Sequence, residues 1–250
     1  MGQKRKNSNY VTEKRTQARL EAERNAKIKH RNKIIAYSVI SVLIVAALVL
    51  GIWLAVTLIN KADREHNPNL DFKPTHHASI EIEGYGTLHV ELYGNEAPKT
   101  VENFVNLANK GFYNGLTFHR VMESFMIQGG CPEGTGLGGN TDADGKEINI
   151  KGEFSANGVK NNIKHIRGTI SMARNGYDYN SASSQFFIVQ ETSSNNSVSL
   201  DGNYAAFGMV TDGMDIVDKI VKDMKDKGYT EAVAKDDQPV IKSISIHASH

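Results

Sequence analysis

Apolar and polar residues alternate over 79–83 and again over 87–92, on either side of Gly84-Tyr85-Gly86. Alternation with a period of two marks a strand with one buried face, and the glycine-rich break between two such runs marks a hairpin. Ile80, Ile82, Leu88, Val90 and Leu92 are the residues that would face the core. The period changes at Pro98, where Val101, Phe104, Val105, Leu107 and Ala108 share one helical face and Gly111 ends the run. Short strands are predicted at 117–122, 125–129, 168–173, 185–190 and 206–210, separated by glycine-rich loops. A second helix over 214–222 turns Ile216, Val217, Ile220 and Val221 inward, and 240–247 closes as a strand. Many short strands with two helices predict a mainly β domain, closed as a barrel. The stretch 131–167 is polar and rich in Gly and Asn, and no internal repeat is visible.

A different pattern precedes the domain. Residues 34–59 run for 26 positions without a charge, with Trp53 toward the far end. As a helix this segment would reach about 39 Å at ~1.5 Å per residue, enough to cross a ~30 Å hydrocarbon core with tilt. Lys27, Lys29, Arg31 and Lys33 press against its start, whereas Lys61 and Arg64 beyond it are interleaved with Asp63 and Glu65. The positive-inside rule then places the N-terminal tail in the cytoplasm and the C-terminal domain outside. The competing reading is a cleaved signal peptide. Its apolar core is typically shorter, about 7–15 residues, and Thr57-Leu58-Ile59-Asn60-Lys61 is a poor cleavage site. An uncleaved signal anchor is the favoured expectation. The chain is thus divided into a basic cytoplasmic tail (1–33), a transmembrane signal anchor (34–59), a linker (60–77) and a folded domain (78–250).

Charge sharpens this division. The net charge of the 250-residue chain is only +1, but residues 1–33 carry eleven Lys/Arg against three Glu. The rest carries 18 Lys/Arg against 25 Asp/Glu, so the folded domain is acidic by count and nucleic acid is disfavoured as its partner. The tail lacks an apolar stripe and reads as a solvated arm that touches anionic lipid. Cys131 is the single cysteine, which excludes an intrachain disulfide; between Gly130 and Pro132 it reads as an ordinary turn residue. His76-His77 are adjacent with no other ligand nearby in sequence, which disfavours a metal site.

Arg120 is a permanent cation among Phe118, Val121, Met122, Phe125, Met126 and Ile127. A guanidinium is rarely placed so unless it is paired or aimed at something, although a strand arginine can also snorkel to water. Gln128 adds a neutral donor and acceptor. A cation and an amide beside Phe and Met suit a neutral, partly apolar ligand with a polar carbonyl.

The stretch Phe118 to Gly130, the Gly134-Thr135-Gly136 turn, the run Ser171-Met172-Ala173-Arg174-Asn175 through Ser183-Ser184-Gln185-Phe186-Phe187-Ile188, and Leu200-Asp201-Gly202-Asn203-Tyr204-Ala205-Ala206-Phe207-Gly208 together resemble the cyclophilin family of peptidyl-prolyl isomerases. The resemblance covers about residues 79–246. It implies an eight-stranded antiparallel β-barrel capped by two α-helices, acting as a monomer on proline-containing unfolded or extended polypeptides, without cofactor or metal. It implies Arg120 as the catalytic donor with Gln128, and Phe125, Met126, Phe187 and Leu200 as the proline pocket. The backbone of Arg174 and Asn175 would hold the flanking peptide, with Ala173 and Gln185 alongside. These apolar residues would otherwise read as core at strand spacing.

Three departures from the family pattern carry expectations. Tyr204 stands where His is frequent, which keeps a flat ring with a polar tip. Ser199 stands where cyclosporin-sensitive members have Trp, so cyclosporin binding is expected to be weakened. Arg174 replaces a frequent Asn and adds a cation expected to favour acidic substrates. His119 is expected to alternate away from the pocket, and Asn195-Asn196-Ser197 is a glycosylation sequon of weak specificity. The expected function is therefore a membrane-tethered isomerase assisting exported proteins. The alternative is a non-catalytic, membrane-tethered peptide-binding chaperone on the same fold, which would not need Arg120. A hydrolase finds no nucleophile elbow or HExxH motif.

Overall fold

The computed structural model describes residues 24, 27, 29–30, 33, 35, 45–54, 67–191 and 200–248. The chain divides into two units, Met1–His66 and Asn67–His250. In the first, residues 45–54 are helical, and most of the expected span 34–59 lies outside the described residues. Among the described residues no helix is long and apolar enough to cross a membrane.

The second unit begins inside the expected linker. A 3-10 turn, Pro68–Asp71, is packed onto the domain: Asn69 is fully buried, and Leu70 and Phe72 pack against Tyr93, Ile163, Ala206 and Met209. Strands β1 (His76–Ile82) and β2 (Gly86–Leu92) form the predicted hairpin, with Ala78, Ile80, Ile82, Leu88, Val90 and Leu92 buried. Gly84 and Gly86 take positive φ angles of 73° and 129°, as the tight turn requires. His76 and His77 are therefore the first residues of β1, and no group of three metal-ligating side chains occurs among the described residues.

Helix α1 (Pro98–Asn109) opens on proline and buries Val101, Phe104, Leu107 and Ala108. Its first turn has no local side-chain cap. The buried carboxylate of Glu153 serves instead, accepting from the backbone N–H of Lys99 (3.1 Å) and Thr100 (2.8 Å) and from the Thr100 hydroxyl (2.7 Å). A carboxylate at a helix N-terminus satisfies orphan donors and complements the dipole. Helix α2 (Met214–Asp226) buries Val217, Ile220, Val221 and Met224.

Eight strands form one antiparallel sheet: β3 (Thr117–Met122), β4 (Met126–Cys131), β6 (Phe186–Val189), β5 (Thr169–Met172), β7 (Ala206–Asp212), β2, β1 and β8 (Ile241–Ala248), in that spatial order. The expected closed barrel is reached only in part. The end strands β3 and β8 share no full ladder; they meet through a Thr117–Val240 bridge and hydrogen bonds joining Gly115 and Leu116 to Ile241 and Phe118 to Pro239. Phe104, Tyr113, Phe118, Phe186 and Phe207 fill the centre, with ring centroids 5.2–6.0 Å apart.

Candidate active site

A second apolar cluster lies apart from this core: Met126, Phe187, Val189 and Leu200 are buried together, and Met122, Phe125, Ala173 and Tyr204 pack around them. Sheet register explains how they meet. Arg120 pairs with Gln128, Gln128 with Phe187 and Phe187 with Ser171, so one row crosses β3, β4, β6 and β5. Met126 lies two residues from Gln128 and so shares its face.

Arg120 reaches that face through a β-bulge. The register shifts between Phe118 and Arg120, which leaves His119 unopposed. In a regular strand Phe118 and Arg120, two residues apart, would point the same way. With it, Phe118 enters the main core and Arg120 lines the outer cavity. His119 is buried and does not line that cavity, in keeping with its expected place. Neither ring nitrogen has a hydrogen-bond partner. Burial first, and the neighbouring Arg120 charge second, push its pKa down to about 4.

Arg120 is paired. Its Nε donates to Glu231 Oε1 at 2.9 Å, Nη2 lies 2.8 Å from the same oxygen, Nη2 also contacts Met122 Sδ at 3.1 Å, and Nη1 donates to Gln128 Oε1 at 3.4 Å. Both partners of the ion pair are substantially exposed, so it adds only ~0–1 kcal/mol to stability. Its effect is to orient the guanidinium. A guanidinium has five N–H groups, and these contacts leave one on Nη1 for a ligand. Glu231 arrives because residues 231–233 run along β3, with the N–H of Val121 donating to Glu231 O and the N–H of Val233 to His119 O. Sequence reasoning missed Glu231, 111 residues away, since nothing near it in the chain marks it.

Two adjoining cavities result. The first, about 120 Å³, is lined by Arg120, Phe125, Met126, Phe187, Leu200 and Tyr204, with Gln128, Ala173 and Arg174 at its border. The second, about 340 Å³, shares those three border residues and extends over Gly136, Leu137, Glu147, Asn175 and Gln185. Gln185 donates to the carbonyls of Gly136 (3.0 Å) and Gly138 (2.7 Å) and accepts from Gln128 Nε2 (2.9 Å), which fixes both amides. All eleven residues read from the sequence as site residues are thus brought together around these two cavities.

The cyclophilin type peptidyl-prolyl cis-trans isomerase family model matches residues 77–248. The chain belongs to this family. A peptidyl-prolyl cis-trans isomerase of Helicobacter pylori (strain ATCC 700392 / 26695) is 43% identical over 137 residues, covering 54% of this chain and 74% of the relative. Peptidyl-prolyl cis-trans isomerase B of Bacillus subtilis is 44% identical over 134 residues, 54% of this chain and 82% of the relative. The chain spans only 27% of a longer relative, peptidyl-prolyl cis-trans isomerase-like 2 of Rhizopus delemar, at 39% identity over 158 residues. Among solved structures, a Cryptosporidium parvum cyclophilin type isomerase matches with a TM-score of 0.56 and 32% identity, covering 69% of this chain and 99% of the other.

In this cyclophilin-type isomerase Arg174 lines both cavities. Its side chain is held locally: Nε donates to Asn203 O and Nη1 to Asn175 O, both at 2.8 Å. Its carbon centre lies 4.6 Å from the Tyr204 ring centroid, 4.9 Å from Tyr179 and 5.3 Å from Phe154. A guanidinium engaged this way stitches two loops together. Tyr204 in turn meets Phe187 edge-on at 5.9 Å.

His165 is a second feature the sequence did not mark. Its ring stacks on Phe187 at 6.0 Å, with Nδ1 3.0 Å from Asp201 Oδ1 and Nε2 2.9 Å from Ser171 Oγ. This serine–histidine–aspartate line is not a hydrolytic site in the cyclophilin domain, because Ser171 is fully buried and no carbonyl can reach its oxygen. It is a buried support beneath the pocket. Burial works to raise the Asp201 carboxyl, but hydrogen bonds from the His165 ring and backbone and from Lys164 outweigh it and bring the pKa down to about 2. Cys131 is buried at the end of β4 and accepts from the N–H of Gly136 at 3.3 Å. Ser199 and the sequon at 195–197 lie outside the described residues.

Proposed function

We propose that this isomerase acts on proline-containing segments of exported polypeptides at the outer face of a membrane, anchored by residues 34–59, with Arg120 as the catalytic donor. The observation that carries the site assignment is a cation lining a small cavity beside Phe125, Met126, Phe187 and Leu200. Its guanidinium is oriented by Glu231 and Gln128, and one N–H is left over. The Cryptosporidium relative was crystallised in the presence of the dipeptide Ala-Pro, which supports a proline ligand. The anchor and the outward orientation rest on the uncharged run and the basic tail that precedes it.

Rotation about an X–Pro bond must break amide resonance, against a barrier of ~18–20 kcal/mol. No bond is made or cut, so no nucleophile, metal or cofactor is required. Twisting frees the nitrogen lone pair. Phe125, Met126, Phe187 and Leu200 seat the ring, and the free N–H of Arg120 meets the lone pair that only the twisted amide offers. Gln128 and the backbone at Arg174 and Asn175 hold the peptide on either side. A contact stronger in the twisted state than in either planar isomer lowers the barrier. A hydrogen bond from a charged group is worth ~1.5–3 kcal/mol, about one to two decades in rate.

Arg120→Ala should therefore cut turnover of a prolyl peptide at least about tenfold, with an unchanged circular dichroism spectrum. The Glu231 pair is exposed and contributes little to the fold, so unfolding is not a competing cause. A folded variant with wild-type turnover in a protease-coupled assay would remove Arg120 from the mechanism.

A further inference from the structure

The segment that precedes the family-matched residues 77–248 is wired into the support of the proline pocket. Asn69 is fully buried, and its side chain is directed mainly at Lys164. Nδ2 donates to Lys164 O at 2.7 Å and to Thr169 Oγ1 at 3.1 Å, while Oδ1 accepts from the Lys164 N–H at 2.9 Å. Asn69 thus grips both backbone groups of Lys164, in the manner of a strand partner. Thr169 Oγ1 donates to the same Lys164 carbonyl at 2.7 Å. The next residue is His165, whose N–H donates to Asp201 Oδ1 at 2.8 Å and whose ring lies nearly parallel to Phe187, at 17°. Asp201 adjoins Leu200, another pocket wall.

The Lys164 N–H donates to the Asn69 amide oxygen; without that amide the donor must find another acceptor, which shifts the backbone here. A shift at residue 164 moves the ring stacked on Phe187. Leu70 and Phe72, by contrast, only seat the segment on Tyr93, Ile163, Ala206 and Met209. Anchoring of the segment and alignment of the pocket are therefore carried by different side chains.

We propose that Asn69 is a positioning residue for the proline pocket, acting through Lys164 and His165 on Phe187. The inference rests on the seating of proline against Phe187 described above. Asn69, which precedes the family-matched region, is then a working part of the isomerase site.

The test uses the full chain. Asn69→Ala should lower kcat/KM for a prolyl peptide about fivefold, mostly through KM because the ring seat is displaced while Arg120 stays. The imidazole resonances of His165 and the ring resonances of Phe187 should shift with it. Phe72→Leu weakens the same docking without touching Lys164, and should keep kcat/KM within about twofold. Both are measured at a temperature where the chains are fully folded. Wild-type kinetics in folded Asn69→Ala, or an equal loss in Phe72→Leu, overturns the inference. If Asn69→Ala does not fold, Asn69→Gln keeps an amide but displaces it and takes its place in the same comparison. If that variant also fails to fold, Asn69 is a folding determinant and the positioning role is rejected. Arg120→Ala run alongside separates the two readings: normal activity there sinks the site assignment, whereas loss there with normal Asn69→Ala sinks only this inference.

Discussion

His119 shows at the scale of one residue how position outweighs neighbourhood. It adjoins the residue proposed as the catalytic donor and could be mistaken for an acid–base group, yet the bulge buries it with both nitrogens unpartnered. An imidazole in that setting is held neutral: its pKa falls from 6.5 to about 4. The unfolded chain takes up this proton near 6.5 and the folded chain only near 4, so between those values the unfolded state binds more protons. The stabilisation is complete above about pH 6.5 and is lost progressively as pH falls toward 4, on the order of 3 kcal/mol in all. Asp201 acts in the same direction but lower, between its ordinary 3.8 and about 2, and does not overlap this window strongly. Urea unfolding of His119→Gln should therefore show a flatter dependence of stability on pH between 6.5 and 4.5 than wild type, whatever its absolute stability. Parallel curves for the two chains would mean that His119 is not the group being protonated.

At the scale of elements, the turn between β3 and β4 carries a conformational cost beside the pocket. Ser124 has φ +58°, the one positive value at a non-glycine among the described residues. It occupies the third position of a turn closed by the Phe125 N–H donating to Met122 O at 3.2 Å, a place that favours glycine when φ is positive. Its N–H donates to Gln190 Oε1 at 2.9 Å, a bond that any residue could make. Ser124→Gly should accordingly stabilise the chain by about 0.5–1 kcal/mol, or roughly 1–3 °C in Tm. Calorimetry checks this, and a lower Tm would show that the serine side chain supplies a contact worth more than the strain. The same element illustrates what the sequence could and could not convey. Strand and helix positions were legible because burial on one face writes a period into the chain, as in β1, β2, α1 and α2. The residues that line the two cavities were legible through motifs, since they lie on short contiguous runs. Features that depend on distant partners were not. The cap of α1 is Glu153, Arg120 is held by Glu231, and the face-switching bulge at His119 exists only relative to β4. The rings of Phe154 and Tyr204 against the Arg174 guanidinium likewise come from separate stretches of the chain. Asn69 read as part of a linker because its partner Lys164 is 95 residues away.

For the whole molecule, charge and hydropathy argue about place rather than chemistry. The folded part is acidic by count and the first 33 residues are strongly basic, and the two are separated by 26 uncharged residues. Each Lys or Arg near an anionic cytoplasmic leaflet is worth ~1 kcal/mol, so the eleven basic residues oppose translocation of the tail. The acidic domain meets no such penalty, and the charges just after the run, Lys61 and Arg64, are offset by Asp63 and Glu65. The expected topology has the tail inside and the isomerase outside, where newly exported chains emerge unfolded and their prolyl bonds are still free to rotate. A non-catalytic tethered chaperone would share this topology, so location alone does not distinguish it; the effect of Arg120→Ala does. Protease added to intact cells or spheroplasts should digest the chain beyond about residue 60 and spare an epitope placed on the basic tail. Protection of the domain until the membrane is permeabilised would reverse the orientation. A mature protein beginning near residue 60 would replace the anchor with a cleaved signal, and a chain released by washing with high salt would show that the apolar run does not hold it in the bilayer at all.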